Sequence, residues 1–239
     1  MTRGGWLGVA AIAAIVWFNS AVLATPARLW TMALLAGLPA LMMVQARHLR
    51  EAGPLPRRAA YISSVISLWL LALLTWAVAW LAGLDNAALG LRLMPAGPLV
   101  AWTGGLTLAG LAVVFAFHLA GFRESGITRQ LVPVTAAEKR MFLGVSVTAG
   151  ICEEFVFRGF LLSVLITASG SPGLALLLSS GVFGIVHAYQ QPAGALRAAV
   201  LGALLAAPLL AHDSILPAIL AHALIDVIAG LWLARYLMR

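Results

Sequence analysis

The sequence predicts an all-α protein, a polytopic bundle of about eight transmembrane helices. Composition, the length of the apolar runs and the placement of basic residues all predict it. Of 239 residues, 62% are hydrophobic and 10% charged, where a soluble domain carries about 25% charged. A soluble protein this apolar could not cover its surface. The net charge of +7 does not gather on one amphipathic face. The basic residues fall between apolar runs, where they set topology, so nucleic acid is not an expected partner and the lipid bilayer is.

Apolar runs of about 17–25 residues mark spans. The first, at roughly 6–25, could instead be a signal peptide within residues 1–24. Its apolar core is longer than the usual ~7–15 residues, so it is read as a retained helix. The second and third, at roughly 28–46 and 61–83, are parted by "RHLREAGPLPRR". The fourth and fifth, at roughly 98–120 and 141–167, are parted by "GFRESGITRQLVPVTAAEKR". Both connectors are polar and punctuated by Gly and Pro. The sixth, seventh and eighth, at roughly 172–190, 195–211 and 214–237, follow with short loops. Without internal repeats or a soluble segment, residues 1–239 read as one integral membrane domain.

With eight spans, twelve basic residues fall on the side of the termini, from Arg3 through the loops carrying Arg47, Arg129 and Arg197 to Arg239. Only Arg28 and Arg92 fall on the other, and Arg158 lies inside a span. That bias predicts both termini in the cytoplasm. Arg-rich composition and short loops suggest a bacterial inner-membrane protein.

An ionisable side chain at the bilayer centre costs about 2.5–3.5 kcal/mol, so such residues face a cavity or a partner. "CEEFVFRG" puts Glu153, Glu154 and Arg158 in the fifth span. Glu154 and Arg158, four apart, are neighbours on one helix face and a natural ion pair. Glu153 points about 100° away and is free to face something else. "FGIVH" supplies His187, toward the cytoplasmic end of the sixth span, and "HALID" supplies His222 and Asp226 one turn apart in the eighth. The seventh, "LRAAVLGALLAAPLLA", has no ionisable residue in its middle. His118 and His212 read as structural or interfacial, and Cys152 as an ordinary buried apolar residue.

A structural network could use cheaper Ser, Thr or Asn. Hydrolysis of a peptide bond inside a membrane requires a water, a base, a proton donor for the leaving amine and a donor to the oxyanion. Glu153 suits proton transfer, His187 can share the water, and His222 can donate to the oxyanion. There is no HExxH for zinc, no GxSG for a serine nucleophile and no GxGD for an aspartyl pair.

At these residues the chain resembles the CPBP family, the CAAX prenyl protease type of glutamic intramembrane endopeptidase. "EEFVFR" matches EExxxR, "FGIVH" matches FxxxH, and "SILPAILAHALIDVIAG" looks like the family's last HxxxN/D helix. The resemblance covers about Val134 to Leu233, and "LGLRLMP" at 89–95 is weakly similar. It implies an eight-helix fold in which Glu153 and His187 activate a water. Glu154 and Arg158 would shape the site, and His222 with Asp226 would form the oxyanion side. It also implies a membrane-associated peptide or protein as substrate and no cofactor, the alternative being a divalent metal such as zinc held by the Glu/His/Asp set. Asp226 departs from the commoner Asn. An ionised carboxylate cannot donate to an oxyanion, so Asp226 is expected to orient His222 or to be protonated. Competing readings are a proton-relay transporter or channel, with a polar path to both surfaces, and a non-catalytic immunity or scaffold protein.

Overall fold

The computed structural model describes residues 20–51 and 53–237, which are helical almost throughout. The reading of residues 1–24 as a retained helix falls outside them, except that a turn at Ser20–Val22 leads into α1. The helices in chain order are α1 (Thr25–Glu51), α2 (Arg57–Leu81), α3 (Ala96–Leu119), the short α4 (Gly126–Gln130), α5 (136–169), α6 (Pro172–Val186), α7 (Ala188–His212) and α8 (Leu216–Leu237). Helices α1, α2, α3, α7 and α8 are each long and apolar enough to cross a membrane. Helix α6 is apolar but has 15 residues, about 22 Å of rise. The protein is a helical, integral membrane bundle.

The lipid-facing surface is the inverse of a soluble protein's. On α2, Ile66, Leu70, Leu73, Trp76 and Trp80 are exposed, while Tyr61, Ala72, Thr75 and Ala79 face inward. Small or polar residues inside let helices approach and hydrogen-bond. Thus Trp30 Nε1 of α1 donates to Thr75 Oγ1 at 3.0 Å.

Helix α5 lies at the centre of the core. It starts at Ala136, earlier than the apolar run, because Thr135 and Glu138 form a capping box. The Thr135 hydroxyl accepts from Glu138 N at 3.2 Å, and the Glu138 carboxylate accepts from Thr135 N and Val134 N, both at 2.9 Å. This satisfies amides that a helix start leaves without intrahelical partners. After Glu154 the helix widens into a π segment, Phe155–Leu162, an irregularity that recurs at functional sites. Val156, Phe160, Leu161 and Leu162 there are fully buried.

The segment "LGLRLMP" closes one end of the bundle. Gly90 turns with φ +65°, and its carbonyl accepts from Ile215 N at 2.9 Å. Ser214 Oγ donates to Arg92 O at 2.7 Å. Leu89 and Ile215 pack with the π segment of α5 in one apolar cluster.

Candidate active site

Glu154 is the hub of a buried network. Its Oε1 accepts from Arg158 Nη1 at 2.9 Å, as the four-residue spacing predicts, and from His222 Nδ1 at 2.7 Å, which the spacing could not predict. Gly150 makes the second contact possible: a Cβ there would stand 2.7 Å from Ile219 O, so its absence lets α5 lie against α8. Glu154, rather than Asp226, holds the His222 ring. Asp226 Oδ2 is 3.7 Å from Nε2, beyond hydrogen-bond distance.

Arg158, 2% exposed, is fixed on three sides. Its guanidinium carbon lies 4.1 Å from the Phe183 ring centroid, and Nε donates to Gly202 O at 3.3 Å. A Cβ at Gly202 would meet Arg158 Nη2 at 2.8 Å and Phe183 Cδ1 at 3.1 Å. Helix α7, which carries no ionisable residue in its middle, therefore contributes through a backbone carbonyl and a missing side chain. Neither leaves a sequence signal beyond a glycine among many.

Glu153 faces the two histidines. Its Oε2 is 3.9 Å from His187 Nε2 and 4.0 Å from His222 Nε2, and it has no hydrogen-bond partner among the described residues. His187 stands at the level of Glu153, although the sequence sets it nearer the cytoplasmic end. Helix α6 is short, and His187 caps its carboxyl end. His187 Nδ1 contacts the Phe183 carbonyl at 2.7 Å. A carbonyl only accepts, so Nδ1 carries a proton, and the ring turns its Nε2 toward Glu153. Phe183 also lies 4.7 Å from the His187 ring and 6.2 Å, edge to face, from His222. It shapes both imidazoles.

Gaps of 3.9–4.0 Å between polar atoms suit a bridging water. Ligand atoms of a tetrahedral zinc at ~2.0–2.1 Å would be about 3.3 Å apart. The set is wider than that, and among the described residues no three His, Cys, Asp or Glu side chains are arranged to hold a metal.

A cavity of about 550 Å³ opens onto Glu153, His187, His222 and Asp226. Glu124, Thr128 of α4, and Gln190 and Arg197 at the start of α7 also line it. Cys152 does not line it and is 1% exposed in the apolar core. His118 packs on Tyr236 and His212 edge-on against Trp102.

Residues 135–228 match the family model described as type II CAAX prenyl endopeptidase, Rce1-like. The site-bearing segment is similar to that family. It runs from the capping box of α5 to the turn of α8 beyond Asp226, nearly the stretch on which EExxxR, FxxxH and HxxxD carry the resemblance to the CPBP family. The Rce1-like segment supports protease activity at the level of the family. No curated protein and no solved structure matches the chain.

Proposed function

We propose that the protein is an intramembrane endopeptidase that hydrolyses a peptide bond of a membrane-associated protein or peptide, entering from the cytoplasmic side. The observation that carries this reading is the unpartnered Oε2 of Glu153, a residue lining the cavity, about 4 Å from the Nε2 atoms of both His187 and His222.

A water between these groups donates one hydrogen to Glu153 and the other to the His187 Nε2 lone pair. As the water oxygen bonds to the scissile carbonyl carbon, its proton passes to Glu153. As an imidazolium, His222 donates from Nε2 to the oxyanion, a type of stabilisation worth about 3–4 kcal/mol elsewhere. The C–N bond then breaks while Glu153 returns the proton to the leaving nitrogen. Glu154 and Arg158 take no proton; Glu154 holds His222, and the two neutralise one another.

The opposite side of the site supports hydrolysis over transport. Val156, Phe160, Leu161, Leu162 and Ile215 are all fully buried there, where a proton relay would need polar groups.

The test is turnover of a cleaved peptide by purified protein in lipid vesicles. Glu153→Gln should lower it at least about 100-fold, the scale of acid–base catalysis. Retained turnover in that variant overturns the reading. Exhaustive chelation should leave the wild type active; loss restored by zinc would replace this mechanism with a metal site.

A further inference from the structure

The turn that opens α7, Ala188–Gln190, is held from several sides and carries a phenol into the catalytic cavity. Directly after it, Gln191 has φ +69° and ψ 173°, a conformation that a residue with a side chain rarely adopts. Such strain persists only where the surroundings over-determine it, and it gathers at functional sites. Here the surroundings are specific. Arg50 Nη2 of α1 donates to Ala188 O at 3.1 Å. Arg197 Nη2 donates to Gln190 Oε1 at 3.3 Å, and Arg197 is itself fixed by both carboxylate oxygens of Glu124. A Cβ at Gly194 would collide with Gln190 Cβ and stand 3.1 Å from its Oε1, so glycine there admits the side chain.

This clamp decides which way the hydrogen bonds run. Arginine only donates, so the Gln190 amide presents Oε1 to Arg197 and turns Nε2 the other way. Nε2 then lies 3.1 Å from the Tyr189 hydroxyl oxygen. An amide nitrogen also only donates, so the phenol oxygen accepts, and its own hydrogen has no acceptor among the described residues. Tyr189 lines the same cavity as Glu153, His187 and His222, with its ring centroid 6.0 Å from that of His187. A donor left without an acceptor away from water is unfavourable. The hydrolytic steps leave this one unused.

We infer that Tyr189 is a substrate-binding residue, whose hydroxyl donates to a backbone carbonyl of the peptide beside the scissile bond. The inference rests on the protease reading and deepens it by naming the feature of the substrate that is recognised. Within an α-helix that carbonyl is already engaged by the amide four residues on. The hydroxyl therefore favours a segment that has unwound, whatever its side chains. In return it satisfies a carbonyl that has left both water and helix.

The full chain in phosphatidylethanolamine–phosphatidylglycerol vesicles is first given a pool of hydrophobic synthetic peptides. The best substrate is then remade with an alkene in place of each uncleaved amide in turn, which keeps the backbone shape and removes the carbonyl. The alkene removes an N–H as well, so each penalty is compared between wild type and Tyr189→Phe, which lacks only the hydroxyl. Tyr189→Phe should keep the melting temperature and lower kcat/KM about five- to tenfold, the worth of one net hydrogen bond, through KM. One alkene beside the scissile bond should cost wild type a similar factor and cost Tyr189→Phe less than about twofold. Unchanged kcat/KM in Tyr189→Phe, or alkene penalties equal in the two proteins, overturn the inference. A loss carried by kcat with KM unchanged also overturns it, since the hydroxyl would then act in the chemical step. If wild type cleaves nothing in the pool and matches Glu153→Gln, the protease reading itself fails.

Discussion

Glu153 and Glu154 are adjacent in the chain and answer to different partners. Glu154, fully buried, accepts from Arg158 and His222, so its removal strands two nitrogen groups. Breaking a buried ion pair costs about 3–5 kcal/mol. Glu154→Ala and Arg158→Ala should each lower the melting temperature in detergent together with turnover. Glu153 has Phe157 four residues on and no hydrogen bond to its Oε2. Glu153→Gln should melt at or slightly above the wild-type temperature while turnover disappears. The two roles are reversed if Glu153→Gln turns over while Glu154→Gln is folded and silent. The Glu154–Arg158 contact is legible as a four-residue spacing. The Glu154–His222 contact, 68 residues apart, is not, because a helix period says which face a residue occupies and nothing of which helix meets it.

Helix α7 shows how an element without titratable groups contributes to a site. Its Gly202 carbonyl and the space beside it seat Arg158 and Phe183. Gly202→Ala should cost about 1–3 kcal/mol as an overpacked position, and turnover should fall beyond what the stability loss explains, because Phe183 carries both imidazoles. Wild-type turnover in Gly202→Ala would deny α7 this role. At the start of α5, the backbone amides of Thr135 and then Val134 hold the Glu138 carboxyl below its ordinary value. A lowered carboxyl contributes stability that is present above the unfolded-state value of about 4.3 and is lost as pH falls through the folded one. Thr135→Ala, which removes the cap's hydroxyl, should destabilise by about 1 kcal/mol. Glu138→Gln should flatten the acid limb of the melting-temperature profile, and an unchanged limb would locate that dependence elsewhere.

Across the whole molecule, the basic bias and the cavity point the same way. Glu124, Thr128 and Arg197, from segments that the basic bias assigns to the cytoplasm, line the cavity, whereas Leu89 to Arg92 do not and are bonded instead to Ser214 and Ile215. A reporter fused after Arg239 should read as cytoplasmic, and one inserted near Asp85 as external. An external C-terminal signal would invert the bundle and put the cavity on the wrong side for a cytoplasmic substrate.

The sequence by itself determined the helical membrane class, the apolar runs, the charge bias and the three polar helices. These follow from local physics: a span needs about 20 apolar residues, and a buried charge must be offset. It also determined that Glu153 and Glu154 diverge, since one residue turns a helix by about 100°. Tertiary structure alone decided that Glu154 rather than Asp226 grips His222, that His187 reaches the level of Glu153, and that Gly202 seats Arg158. Each of these depends on how closely and at what height two helices pack. Close packing is set by side chains that are absent, at Gly150 and Gly202, and height by where α6 stops. Neither has a periodicity that a single chain could display.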